Sequence, residues 1–394
     1  MKLDIPLMDN NITKDDLDSL IAFLSQNPAP ILTQSSNVAQ FEKEWSDWLG
    51  VKYSLFVNSG ASANLLTIGS IKYLYGNGEI ILPPLTWVSD ISSVLHYNFK
   101  PVFADINWYN LAMKESEVIS KINKNTKAVF LTHILGYNGL TQKLLNKLDE
   151  MEIPLIEDVC ESHGATFNGK KLGSFGLISN FSFYYAHHMS TIEGGMICTN
   201  NEDIYQVLRV LRSHGMVRES TSPDFKDKYK NGYPDLNPDF IFAYPAYNVR
   251  STEINAVLGR NQLKRLDKNN EIRTENLKLF LSNLDSKKYK TDFDLEGSVN
   301  YAFTLLLNEP NDKLRDNVMK KLKEANVEFR RGMSGGGNQL RQPYLRKILP
   351  ENEFLKYPNV DHVHFYGFYI GNYPSLLKEK IVDLCELLNS VPSK

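Results

Sequence analysis

A chain of 394 residues, 42% hydrophobic and 23% charged, carries enough apolar material for two packed domains. Its formal net charge of -2 gives no electrostatic reason to bind nucleic acid or a membrane surface. The start, with Asp4 and Asp9, lacks the basic and apolar run of a leader, and no stretch is apolar enough to span a bilayer, so the expected address is cytoplasmic.

In chain order, short apolar runs alternate with helical patterns. Residues 54–57, 79–82, 102–105, 128–134, 153–158, 180–183 and 195–199 read as buried strands, with amphipathic helices over 115–122 and 141–150 between some of them. This alternation predicts an α/β sheet. From residue 258 the pattern changes to a long charged helix over 261–283, then short strands and a helix over 316–326. The expected organisation is a large domain, 1–257, and a small C-terminal α+β domain, 258–394.

Residues able to do chemistry fall at strand ends, where open α/β sheets place ligands. Asn58-Ser59-Gly60-Ala61-Ser62 follows a strand and opens a helix, so its backbone N–H groups suit a phosphate; a plain turn with Ser62 as helix cap is the alternative. Trp87 offers a stacking face or ordinary packing. Asp158 ends a strand, where a carboxylate holds a pyridine nitrogen protonated or simply caps a helix. Ser182 leads into Phe183-Tyr184-Tyr185-Ala186-His187-His188-Met189-Ser190-Thr191-Ile192-Glu193-Gly194-Gly195. Cys160, Cys198 and Cys385 stand far apart without metal-ligand spacing, which predicts no iron-sulfur cluster and no other metal site. Lys170 and Lys171 follow Asn168-Gly169, a tight hairpin signal, and read as solvated.

Together with Glu157-Asp158-Val159-Cys160-Glu161-Ser162-His163-Gly164-Ala165 and Tyr247-Asn248-Val249-Arg250-Ser251-Thr252-Glu253, that segment resembles the sugar aminotransferases and dehydratases of fold type I, the antibiotic-sugar biosynthesis family, which use pyridoxal 5'-phosphate (PLP). The resemblance is clearest over 41–262. It implies a large domain with a mixed, mostly parallel sheet between helices, and a homodimer with shared active sites. Gly60, Ala61, Ser62 and Ser182 would hold the phosphate, Trp87 would stack on the ring, Asp158 would pair with its nitrogen, and Asn248 would reach the neighbouring subunit's cofactor.

Two departures set the chain apart from the aminotransferases. His187 stands where the family carries its lysine, and Glu161 stands three residues after Asp158 where Gln is usual. An imidazole moves protons near neutral pH but cannot anchor an aldehyde, so the cofactor is expected to work unanchored as the amine, pyridoxamine 5'-phosphate. Both departures resemble the nucleotide-sugar 3-dehydratase branch, and the cysteine count sets aside its cluster-bearing, CDP-sugar subgroup. What remains implies removal of the C3 hydroxyl from a GDP-linked 4-keto-6-deoxy hexose or heptose, with His187 as acid and base and L-glutamate as amine donor. Residues 338–344 look more like the CDP-sugar loop, so a CDP-linked substrate stays open, as does an aminotransferase. His214, Arg250, Arg330, Arg331 and Arg341 are the expected substrate contacts, and cell-surface glycans such as lipopolysaccharide or capsule the expected destination.

Overall fold

The computed structural model describes residues 2–392. The seven apolar runs all become strands, because each is a β-rich stretch closed by turn residues. They are β1 (Tyr53–Val57), β2 (Glu79–Leu82), β3 (Lys100–Phe103), β4 (Thr126–Thr132) and β5 (Leu155–Asp158), then β8 (Ile178–Ser182) and β9 (Gly195–Thr199) after the short hairpin strands β6 (Thr166–Phe167) and β7 (Lys170–Lys171). The hairpin turns through Asn168 and Gly169, both at positive φ, as that dipeptide favours.

The seven long runs form one sheet in the order β1-β9-β8-β5-β4-β2-β3. β8, β5, β4, β2 and β3 run parallel, while β9 is antiparallel to both β8 and β1. Successive residues feed opposite faces: Leu55, Val57, Ala128 and Phe130 join one apolar cluster, Phe56, Val129 and Leu131 the other. Burial on both faces explains why these strands read as continuous apolar runs. The carboxyl ends of β1, β8, β5 and β4 consequently share one edge, where β9 begins.

Helix Glu253–Leu263 and helix Leu266–Asn283 carry the chain onward, so the single long helix expected from residue 261 is two, interrupted at Lys264 and Arg265. The boundary expected at 257/258 falls inside the first of them. A second, antiparallel sheet follows, β10 (Ala302–Leu306), β11 (Phe329–Arg331) and β12 (Gly367–Gly371), in the order β10-β12-β11. The N-terminal segment returns to it: Leu3 N donates to Ala325 O at 2.8 Å and Glu328 N to Ile5 O at 2.8 Å. Among the described residues no helix is long and apolar enough to cross a membrane.

Candidate active site

A cavity of about 500 Å³ opens at the shared strand edge. Gly60, Ala61, Trp87, Asp158, Glu161, Ser182, His187 and Arg330 all line it, although they come from points scattered over 270 residues of chain, Gly60 to Arg330. Ser59 caps helix Gly60–Tyr75, its Oγ accepting from Ser62 N at 3.1 Å, so the cap is Ser59 and Ser62 sits in the first turn with its hydroxyl donated to Asn58 Oδ1 at 2.7 Å. The cradle tolerates no Cβ: one added to Gly60 would lie 2.6 Å from Ser182 Cβ, and one added to Gly195 would lie 2.3 Å from Ser59 O. A phosphate-sized anion thus meets bare backbone and hydroxyls at a helix N-terminus.

Asp158 is 3% exposed and accepts from Cys160 N at 2.8 Å and Asn64 Nδ2 at 3.3 Å. Among the described residues no lysine, arginine or histidine forms an ion pair with it. A buried carboxylate without a counter-ion is costly unless a cation arrives, which suits a protonated ring nitrogen. Trp87 is 56% exposed, so it is a platform at the mouth and not core packing.

His187 is half-buried and opens on the cavity, while its Nδ1 is buried and has no hydrogen-bond partner. Burial, reinforced by the Arg273 guanidinium and opposed by Asp158, pushes its imidazole down to about 4, so it is a neutral base at working pH. His188 is turned away, its Nε2 2.9 Å from Val299 O, which makes it the structural member of the pair. Among the described residues no lysine lines the cavity. Lys171 instead sits over the Trp48 ring, 4.8 Å from its centroid, and Lys170 is exposed.

Glu161 accepts from Leu135 N and Ser334 Oγ, both at 2.7 Å, yet burial pushes its carboxyl up to about 7. The folded chain therefore holds this proton more tightly than the unfolded chain: the stabilisation is complete below the ordinary value of 4.5 and is lost as pH rises through about 7. The loss is on the order of 3 kcal/mol. Glu161→Gln, whose amide oxygen accepts from Leu135 N while its NH2 donates to the Ser334 hydroxyl and which cannot ionise, is expected to raise the melting temperature at about pH 8 and to change it little at about pH 4, as calorimetry would read.

Of the other expected contacts, Ser62 directly follows the lining residue Ala61 without itself lining the cavity, and Asn248 and His214 are exposed on a segment bridged at Ser213 and Asn248. The backbone of Arg250 bridges Val57, and Arg331 is exposed on β11. Arg341 corrects the expectation: its guanidinium is forked onto Asp361, with Nη2 2.5 Å from Oδ2, and stacks on Phe354 and Phe365, so it is not offered to a substrate. Conversely Tyr301, Tyr369, Ser334 and Glu193 line the cavity without any expectation from sequence. Tyr301, its ring centroid 5.6 Å from that of His187, just precedes β10, and nothing local distinguishes it from a core tyrosine.

Among the described residues no group of three or more His, Cys, Asp or Glu is placed to hold a metal ion. Residues 11–389 match the pattern of the DegT/DnrJ/EryC1/StrS aminotransferase family. The chain is 30% identical to GDP-4-keto-6-deoxy-D-mannose 3-dehydratase of Yersinia pseudotuberculosis over 98% of both chains. It is 27% identical to GDP-perosamine synthase of Vibrio cholerae over 91% of this chain and 92% of the other. A crystal structure of GDP-4-keto-6-deoxymannose-3-dehydratase with a trapped PLP-glutamate geminal diamine superposes with a TM-score of 0.86 at 27% identity, covering 98% of this chain and all of the other. The α/β architecture of this chain is that of fold type I.

Proposed function

We propose that this chain, which belongs to the DegT/DnrJ/EryC1/StrS aminotransferase family, removes the C3 hydroxyl of a GDP-linked 4-keto-6-deoxy sugar and draws its nitrogen from L-glutamate. It is a PLP-dependent enzyme of lyase type. The observation that carries the reading is a cavity lined by His187 in which, among the described residues, no lysine stands on the walls. The atoms balance: the sugar loses one oxygen, and glutamate leaves as 2-oxoglutarate and ammonia.

When bound as its amine, PLP supplies a covalent handle for the C4 ketone and an electron sink for loss of the C3 oxygen. The chain supplies the rest. Gly60, Ala61, Ser62 and Ser182 would grip the phosphate, Trp87 would cover the ring, and Asp158 would hold its nitrogen protonated. Neutral His187 takes a proton and, once charged, is a strong enough acid to return it to the departing hydroxyl. Glu161, half-protonated near neutrality, would donate to the ring's phenolic oxygen. Arg330 and Arg331, beside the glycine-rich turn, would take the diphosphate, His214 and Arg250 would contact the substrate, and Asn248 would reach the cofactor of the neighbouring subunit in a homodimer.

Incubation with PLP, L-glutamate and GDP- or CDP-linked 4-keto-6-deoxy sugars tests this. The expected result is a GDP-sugar product short of one oxygen, with one ammonia released per turnover; steady release of a 4-amino sugar that keeps its C3 oxygen refutes it, and turnover of the CDP-sugar alone moves the assignment to that nucleotide. The cradle makes its own forecast. Gly60→Ala drives a methyl into Ser182, an overpacking cost of about 1–3 kcal/mol, so PLP affinity should fall roughly 10- to 100-fold in a titration of the apoprotein.

A further inference from the structure

Behind Asp158 lies a second carboxyl that the mechanism leaves unused. Asp90, on helix Val88–His96, is fully buried. Asn64 Nδ2 donates to Asp90 Oδ1 at 2.7 Å and to Asp158 Oδ2 at 3.3 Å, so one amide joins the two acids. Asn64 is in turn fixed by Asn180, whose Nδ2 donates to its Oδ1 at 2.8 Å. On its other side Asp90 Oδ2 meets Thr132 Oγ1 at 2.8 Å and the Thr86 hydroxyl, and those two hydroxyls lie 2.9 Å apart.

That triangle of oxygens has three edges. Two threonine hydroxyls supply two hydrogens, and a third is available only if Asp90 is an acid. The titratable groups facing it point the same way: Asp158 on β5, Cys160 on the turn that follows, and Tyr344 on helix Pro343–Arg346. None is a cation, and among the described residues no lysine, arginine or histidine pairs with Asp90. Two adjacent buried carboxyls cannot both ionise cheaply without one.

We propose that Asp90 is a positioning residue kept in the acid form, holding Asn64 in place so that the single negative charge of the pair stands on Asp158, toward the cofactor nitrogen. The cofactor half of this rests on the PLP reading above; the charge assignment does not. Burial and Asp158 push the Asp90 carboxyl well above its ordinary value, in the same direction.

The apoprotein provides the first test. In a Glu161→Gln background at about pH 7, where the other carboxyl raised by burial is absent, infrared spectroscopy should show a protonated-carboxyl stretch that disappears when Asp90→Asn is added. No such band, or a band that survives the substitution, overturns the proposal whatever the enzyme's substrate. The second test is a PLP titration. Asp90→Asn, an isostere of the acid, should keep PLP affinity within about threefold, whereas Asp90→Leu, which cannot hold Asn64, should lose at least about tenfold and change the pH dependence of the bound cofactor's absorbance. A tenfold loss in Asp90→Asn, or an unchanged Asp90→Leu profile, overturns the positioning role.

Discussion

His187→Asn should bind PLP with wild-type affinity and lose C3 deoxygenation by about 10³-fold, the range expected when a positioned acid-base group is removed. Affinity is spared because no protein group depends on His187 for a hydrogen bond through Nδ1, so removing the ring breaks no part of the cradle. The chemistry is lost because the neighbouring groups are committed elsewhere: Glu161 is tied to Leu135 N and Ser334 Oγ. His188 is bonded to Val299 O, His163 is held well below its ordinary value by burial, and burial raises Tyr301 far above its own. The pH profile adds a sharper forecast. A base at about 4 stays competent down to mildly acidic pH, so the acid limb of kcat/KM should lie near 4 to 5 and not near 6.5. His187→Lys completes the experiment: borohydride should then fix the cofactor to the chain, and the product should shift toward an amino sugar. A His187→Asn enzyme that still deoxygenates at more than a tenth of the wild-type rate would end the assignment of this residue.

What the sequence disclosed and what it hid follow from range. Gly60, Asp158 and Ser182 were legible because each sits at the end of a strand or the start of a helix, where a local pattern fixes where a side chain can go. Glu161 and His187, in the turns beyond those strands, stood out only as departures from the family resemblance. Trp87 was ambiguous between platform and core, and its exposure at the cavity removes the core reading. Arg341 was misread because a forked donor near glycines looks like a diphosphate contact until its partner is known; Asp361, twenty residues on, takes the fork. Tyr301, Tyr369 and Asp90 were silent for the opposite reason. Each sits in an ordinary apolar or helical context, and only the packing of distant elements turns Tyr301 toward His187 or brings Asp90 to the same amide as Asp158. The helix expected from residue 261 failed at a boundary, where Lys264 and Arg265 break a pattern whose charged face continues across them.

Asp158→Asn is expected to move activity and stability in opposite directions. The amide keeps the hydrogen bond from Cys160 N but carries no charge to hold a ring nitrogen protonated, so the electron sink weakens and turnover should fall about 10³-fold, roughly 4 kcal/mol in the barrier. PLP should still bind through the phosphate cradle, with a displaced absorption maximum. In the apoprotein the same change sets an NH2 against Asn64 Nδ2 and forfeits that 3.3 Å hydrogen bond, about 1 kcal/mol. It also removes a buried carboxylate that has no counter-ion, which is the larger effect, so the melting temperature should rise. A purely structural aspartate would do the reverse, losing stability with activity following it down. Asp90 refines the forecast, because the charge on Asp158 adds to burial in holding it in the acid form. Once Asp158 is an amide, Asp90 can ionise at lower pH, and in the Glu161→Gln background the infrared band of the protonated acid should fade at a correspondingly lower pH when Asp158→Asn is added. Coupling of that kind ties the two carboxyls into one titrating unit, and its absence, with the band unmoved by Asp158→Asn, would mean that Asn64 joins them in space without joining their charges.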